Sequence, residues 1–188
     1  MSTQNLYLAR HGQTALNAEG RLRGLANPPL DEVGVAEAER LAAALADKGT
    51  GIVLSSPLER ARRTAEIIAQ AAGIPLRIDE RFNDRDYGHQ TGEVKAEVEA
   101  RYGTVDDAPG VERTHDVLER AIPALDAVLD EDPTRDVIVV THDALIRPLI
   151  TSIDGILRPA APTASWNHLR RVDDHWYVIA IDQKPASD

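Results

Sequence analysis

Short apolar runs that stop abruptly at polar residues alternate with stretches whose apolar positions recur every three or four residues. The runs are NLYLA (5–9), GIVLSS (51–56) and DVIVVTH (136–142), with PLRID (75–79) a weaker fourth. Near-continuous Val, Ile and Leu suit strands covered on both faces, as in parallel sheets. Between them, 34–48 places Ala38, Leu41, Ala42 and Leu45 at helical spacing, and 57–72 does so with Leu58, Ala61, Ala65 and Ile68. Pro57 is expected in the first helical turn. Residues 114–130 carry Leu118, Ala121, Ile122, Leu125, Val128 and Leu129, with Thr114 as expected N-cap, and 145–153 aligns Leu145, Leu149 and Ile153. The end of the chain differs: WNHLRRV (166–172) and HWYVIAI (175–181) flank Asp173–Asp174, the pattern of a hairpin.

Strands alternating with helices imply βαβ units. The predicted fold class is α/β, a three-layer α/β/α arrangement with a mainly parallel central sheet and a C-terminal hairpin. We find no internal repeat, low-complexity stretch or interdomain linker, so 1–188 reads as a single domain, with Gly103–Glu112 expected as a long surface loop.

Composition narrows the chemistry. Lys plus Arg number 21 and Asp plus Glu 31, a net charge of −10. That balance argues against a nucleic-acid or anionic-membrane partner, although it permits a small basic pocket. Cysteine is absent, which removes thiol catalysis and Cys-based metal sites. The opening MSTQNLYLARHG lacks the basic and apolar regions of a signal peptide, and no run approaches the length of a spanning helix, so the expected location is the cytoplasm. Oligomeric state is not indicated.

An α/β sheet offers its ligand site beyond the carboxyl ends of its strands. There the sequence places ARHGQTALN (9–17), SSPLERARRTAE (55–66) with Arg60 and Arg63, RFNDRDYGHQTG (81–92) with the carboxylates Asp84 and Asp86, and VVTHDALIR (139–147) with His142. Taken singly, each has an ordinary structural reading: a packed histidine, a solvated arginine, a carboxylate facing water. Together they bring two histidines 131 residues apart, and arginines from two strand ends, to one edge of the sheet. An arginine fork matches phosphate oxygens and an imidazole can attack phosphorus, so the constellation suits a phosphoryl group. His89, His115, His168 and His175 lie at no metal-ligand spacing, and no P-loop or dinucleotide fingerprint is present. No metal or cofactor is expected.

These blocks resemble the histidine phosphatase superfamily, the phosphoglycerate-mutase-like branch with its RHG motif. ARHGQTALN carries every fixed position of Arg-His-Gly-x-Thr-x-x-Asn. GRLRGLANPPLDEVG (20–34), SSPLERARRTAE, FNDRDYGHQTG (82–92) and VVTHDALIRPLI (139–150) resemble the following blocks in order. The departures are Asp84 where Glu is usual, Asp143 for the common Gly, Arg23 for a frequent Gln, and Val111–Glu112–Arg113 where many members read Gly-Glu-Ser.

The resemblance implies that His11 is the nucleophile and that Arg10, Arg60 and His142 surround the phosphoryl oxygens. It makes Arg60, not Arg62 or Arg63, the pocket arginine. Asp84 becomes the proton donor, with Asp86 the alternative. Asn17 and the Gln13–Thr14 backbone would complete the anion pocket, with Arg23 and Gly24 beside the substrate. His11 should be neutral, its other ring nitrogen held by a backbone carbonyl. The implied activity is metal-independent hydrolysis of a small phosphorylated metabolite through phosphohistidine. A cofactor-dependent phosphoglycerate mutase and a low-turnover phosphate- or phosphoprotein-binding module are the alternatives. Only 42 residues separate Gly92 from Thr134, too few for the shielding insertion expected of a mutase.

Overall fold

A computed structural model describes residues 3–185. Its elements run β1 Thr3–Arg10, α1 Ala15–Ala18, α2 Glu32–Ala46, β2 Ile52–Ser55, α3 Glu59–Ala72, β3 Leu76–Ile78, α4 Lys95–Tyr102, α5 Thr114–Asp130, β4 Val137–Thr141, α6 Asp143–Asp154, β5 Trp166–Val172 and β6 His175–Gln183. The strands form one sheet in the order β3-β2-β4-β1-β5-β6. β1 to β4 pair in parallel, whereas β5 and β6 run antiparallel as the C-terminal hairpin. The hairpin turns on Asp173 and Asp174, both at positive φ (44° and 66°), as a two-residue turn between right-twisted strands requires.

Strand periodicity sorts the core into two layers. Leu6, Leu8, Leu54, Val137 and Val139 face α5 and α6, packing on Val117, Leu125, Leu145 and Leu149. Tyr7, Ala9, Val53, Ile138 and Val140 face α2 and α3, packing on Leu41, Leu45, Ala65 and Ile68. The three-layer expectation therefore holds, because the central strands are apolar on both faces.

The boundaries differ in places. Pro57 lies before α3, whose N-cap is Leu58. Thr114 is the first residue of α5 rather than its cap, which is Arg113; the threonine hydroxyl instead donates to Asp106 at 2.9 Å. Helices α1 and α4 were not predicted. Helix α4 buries only Val98, and α1 buries nothing, so neither has an apolar stripe to read. The 103–112 loop is partly ordered by a 3₁₀ turn, Val105–Asp107. Val105 and Ala108 pack with Leu22, Tyr87 and Val98 into a small third cluster.

Candidate active site

Parallel pairing sets the site. Arg10 pairs with Thr141 across β1 and β4, and Ser55 with Val140 across β2 and β4. The residues that follow, His11, Ser56 and His142, therefore leave the sheet side by side. All three are fully buried. The rings of His11 and His142 stand 5.1 Å apart, close to the spacing of adjacent strands.

The His11 loop is clamped from both sides. Thr64 of α3 accepts from the Gly12 amide at 3.2 Å. At the start of α2, Asp31 accepts from the Gly34 amide (2.7 Å) and from Gln13 Nε2 (3.1 Å), while its own amide donates to the Gln13 carbonyl at 3.1 Å. The approach is so close that a Cβ on Gly12 would lie 2.3 Å from the Gly34 carbonyl oxygen. Glycine is required here by space.

His11 Nδ1 lies 2.6 Å from its neighbour's carbonyl, Gly12 O. In the neutral ring this places the proton on Nδ1 and leaves the lone pair on Nε2. Burial, then the charges of Arg60, Arg10 and Arg23, hold the pKa of His11 well below the ordinary histidine value. Burial thus outranks the arginine charges as the reason His11 is neutral. His142 is depressed in the same direction by burial, followed by Arg60, His11, Arg23 and Arg10. Its Nε2 is 2.9 Å from Ser56 Oγ. The Ser56 hydroxyl donates to Asn83 Oδ1 (3.1 Å), so it can only accept from His142, which puts the proton on Nε2 and leaves Nδ1 bare. Ser56 was not singled out from sequence, although its position one residue beyond β2 was a usable signal.

Arg60 is wholly buried in the first turn of α3. It donates to the carbonyls of Ala26 and Gly24, each at 2.8 Å, and to Asp84 Oδ2 at 2.9 Å. Gly24 thus serves the site by orienting Arg60. Asp84 is 1% exposed, accepts from the Arg85 amide at 2.8 Å, and places Oδ2 3.6 Å from His142 Nδ1. Burial raises its pKa, against the opposing charges of Arg60 and Arg23. Asp86 is exposed and accepts from the Gly88 amide (2.8 Å), so the structure brings Asp84 and not Asp86 to the histidines.

Arg10 donates to the Ala161 carbonyl at 2.7 Å. Arg23 donates to Asp143 Oδ1 at 2.8 Å, and Arg10 lies 3.4 Å from the same oxygen. The two departures at 23 and 143 are therefore partners, a pairing invisible at 120 residues' separation. One expectation is corrected. The amides of Gln13 and Thr14 are donated to Glu37 Oε2 (2.9 Å) and Asn17 Oδ1 (3.0 Å), so neither is free for an anion. Asn17 also accepts the Thr14 hydroxyl through Oδ1 (2.8 Å), which makes Nδ2 the end it can offer a ligand.

Five buried polar atoms here have no hydrogen-bond partner among the described residues: Nε of Arg10, Arg23 and Arg60, Nε2 of His11 and Nδ1 of His142. Buried polar groups are normally satisfied, and leaving one unmade costs about 1–3 kcal/mol. Such a cluster, three of its members cationic, fits an oxyanion.

Proteins similar to this chain include phosphatases and a phosphoglycerate mutase. The chain is 33% identical over 148 residues to the uncharacterized phosphatase PhoE of Bacillus subtilis, covering 79% of this chain and 76% of that protein. It is 33% identical over 174 residues to the 2,3-bisphosphoglycerate-dependent phosphoglycerate mutase of a Methylobacterium species, covering 84% of each. A mycobacterial glucosyl-3-phosphoglycerate phosphatase, solved with VO3, superposes with a TM-score of 0.83 at 26% identity, over 96% of this chain and all of that one. The family model of the histidine phosphatase superfamily, branch 1, matches residues 6–183. With that match reaching into every strand of its sheet, the chain belongs to the histidine phosphatase superfamily.

Proposed function

We propose that this protein hydrolyses a small phosphomonoester through a phosphohistidine, using side-chain cations in place of a metal. The cluster of five buried, unpartnered polar atoms around His11 carries the reading. In the first step the His11 Nε2 lone pair attacks phosphorus, the P–N bond forms and the ester P–O bond breaks. Asp84 gives its proton to the departing oxygen; its raised pKa favours the protonated form needed for that. Water then attacks phosphorus, the P–N bond breaks, and Asp84 takes the water's proton. Arg10, Arg60 and Asn17 Nδ2 meet the phosphoryl oxygens, where charge must be stabilised during transfer. His142 joins them by taking a proton on Nδ1 when the anion arrives, since the anion's charge offsets the penalty that keeps the empty ring neutral.

The test is turnover of p-nitrophenyl phosphate combined with rapid acid quenching from a radiolabelled phosphomonoester. We expect acid-labile label on the wild-type protein and none on His11→Ala, which should also abolish turnover while leaving the fold intact. Turnover retained in His11→Ala would overturn the proposal.

The similarity to the Methylobacterium mutase supports a second reading, phosphoglycerate mutase activity. The short stretch between Gly92 and Thr134 favours hydrolysis, because a less covered phosphoenzyme is exposed to water. Incubation with 3-phosphoglycerate and a trace of 2,3-bisphosphoglycerate separates them. Appearance of 2-phosphoglycerate without free phosphate would reverse the order.

A further inference from the structure

The segment that carries Asp84 is held by side chains rather than by a backbone ladder. Between the 3₁₀ turns Glu80–Phe82 and Gly88–Gln90 the chain runs through 83–87 without helix or strand. Its carbonyls find donors on other elements, as unladdered backbone must. Phe82 O accepts from the Thr141 hydroxyl at 2.8 Å. The carbonyls of Arg81, Asn83 and Asp84 all go to one side chain, Arg120 of α5. Its Nη1 donates to the first two at 2.9 Å each, and its Nη2 to the third at 3.1 Å. The same guanidinium donates to both oxygens of Glu112, from Nε at 2.8 Å and from Nη2 at 3.2 Å. Its five N–H groups thus meet five acceptors. Glu112 secures the other side of Asp84. Its Oε2 accepts from the Asp86 amide (3.0 Å), its own amide donates to the Asp86 carbonyl (2.8 Å), and its carbonyl accepts from Arg85 Nε (2.6 Å). Arg120 stands on a firm base, since Val117, Ala121 and Ala124 of the same helix are fully buried.

Building on the proposed hydrolysis, we infer that Arg120, braced by Glu112, is a positioning residue for that reaction: it acts through Asp84, by fixing the backbone from which the Asp84 carboxyl reaches Arg60 and His142. Those reaches are short, 2.9 Å to Arg60 and 3.6 Å to His142 Nδ1, so a displacement of about an ångström would misplace the proton donor. The task needs a planar fork. A lysine ammonium could keep the charge beside Glu112 but could not span three carbonyls.

Phenyl phosphate and p-nitrophenyl phosphate form a matched pair, because phenolate leaves less readily and needs the proton more. With the full chain, Arg120→Lys and Arg120→Met should each lower kcat/KM for phenyl phosphate by about 10- to 100-fold, the scale of a misplaced catalytic group, and for p-nitrophenyl phosphate by less. The lysine variant keeps the ion pair, so a loss there does not report a failure to fold. Inhibition by inorganic phosphate should stay within about twofold, since the anion pocket is untouched. In an Asp84→Asn background the same Arg120 changes should alter kcat/KM by about twofold or less, because no proton is left to place. Losses that multiply in the double variants, or that fall equally on both esters, would overturn the inference and make Arg120 a general support of the fold. Wild-type turnover of both esters would then leave the hydrolytic reading standing. Failure of the wild type to turn over either ester would overturn both.

Discussion

His142 stands 5.1 Å from His11, ring centroid to ring centroid and tilted by 56°, although 131 residues separate them in the chain. Two parallel strands bring them together, and burial keeps both neutral. Two neutral rings beside three arginines can receive an oxyanion without first losing a proton. The lone pair on His142 Nδ1 would repel it, as would that on His11 Nε2, which is the one aimed at phosphorus in the proposed attack.

Anion binding should therefore be accompanied by proton uptake. Calorimetric titration with vanadate or inorganic phosphate, repeated in buffers of different ionisation enthalpy, should show up to one proton taken up near neutral pH. The uptake should fall in His142→Gln. Binding without any proton exchange would contradict the assignment of a bare Nδ1.

The two carboxylates of the 84–86 segment should behave very differently. Asp84→Asn should lower turnover by about 10²–10⁴-fold, the usual scale for losing general acid–base help. Asp86→Asn, at an exposed residue that caps the Gly88 amide at 2.8 Å, should stay within severalfold of the wild type. Steady-state rates on one aryl phosphate and one alkyl phosphate would show this. The Asp84 effect should be larger on the alkyl ester, whose leaving oxygen needs the proton more.

Close packing between the His11 loop and α2 predicts a steric effect. A Cβ on Gly34 would lie 2.0 Å from the Gln13 carbonyl oxygen and 2.7 Å from its amide nitrogen. Gly34→Ala should therefore cost about 2–3 kcal/mol in urea unfolding, the scale of overpacking a rigid site, and should lower turnover together with stability. Wild-type stability in this variant would mean that α2 is less tightly seated than it stands here.

Stability should fall with acidification through the range where unfolded histidine titrates. Below a pKa of about 6.5 the unfolded chain protonates His11 and His142, whereas the folded protein keeps both neutral. Unfolding free energy should thus decline from about pH 7 to pH 5, before most carboxylates titrate. His11→Gln should flatten that decline. A stability independent of pH across this window would show that the two rings accept protons in the folded state.

Much of the architecture was legible because it rests on local pattern. Apolar runs marked three strands of the parallel set and PLRID more weakly the fourth, and β6 with β5 announced themselves through the pattern around Asp173–Asp174. Helices α2, α3, α5 and α6 carried apolar stripes that the core demanded. Helix α4, with Val98 as its one buried side chain, had no such stripe and escaped notice. Thr114 looked like a cap because threonine often is one; a tertiary contact to Asp106 took its hydroxyl instead.

By itself the chain determined its alternating elements and the presence of His11, Arg10, Arg60 and His142 at strand ends or helix starts, since hydrophobic period and motif order are properties of neighbours in sequence. Tertiary structure alone decided that Asp84 enters the site while Asp86 faces water, that the Gln13 and Thr14 amides serve the protein's own side chains, and that Arg23 meets Asp143. Those outcomes depend on distances between segments far apart in the chain. Electrostatic and hydrogen-bond energies change steeply over an ångström or two, and only packing sets distances that finely.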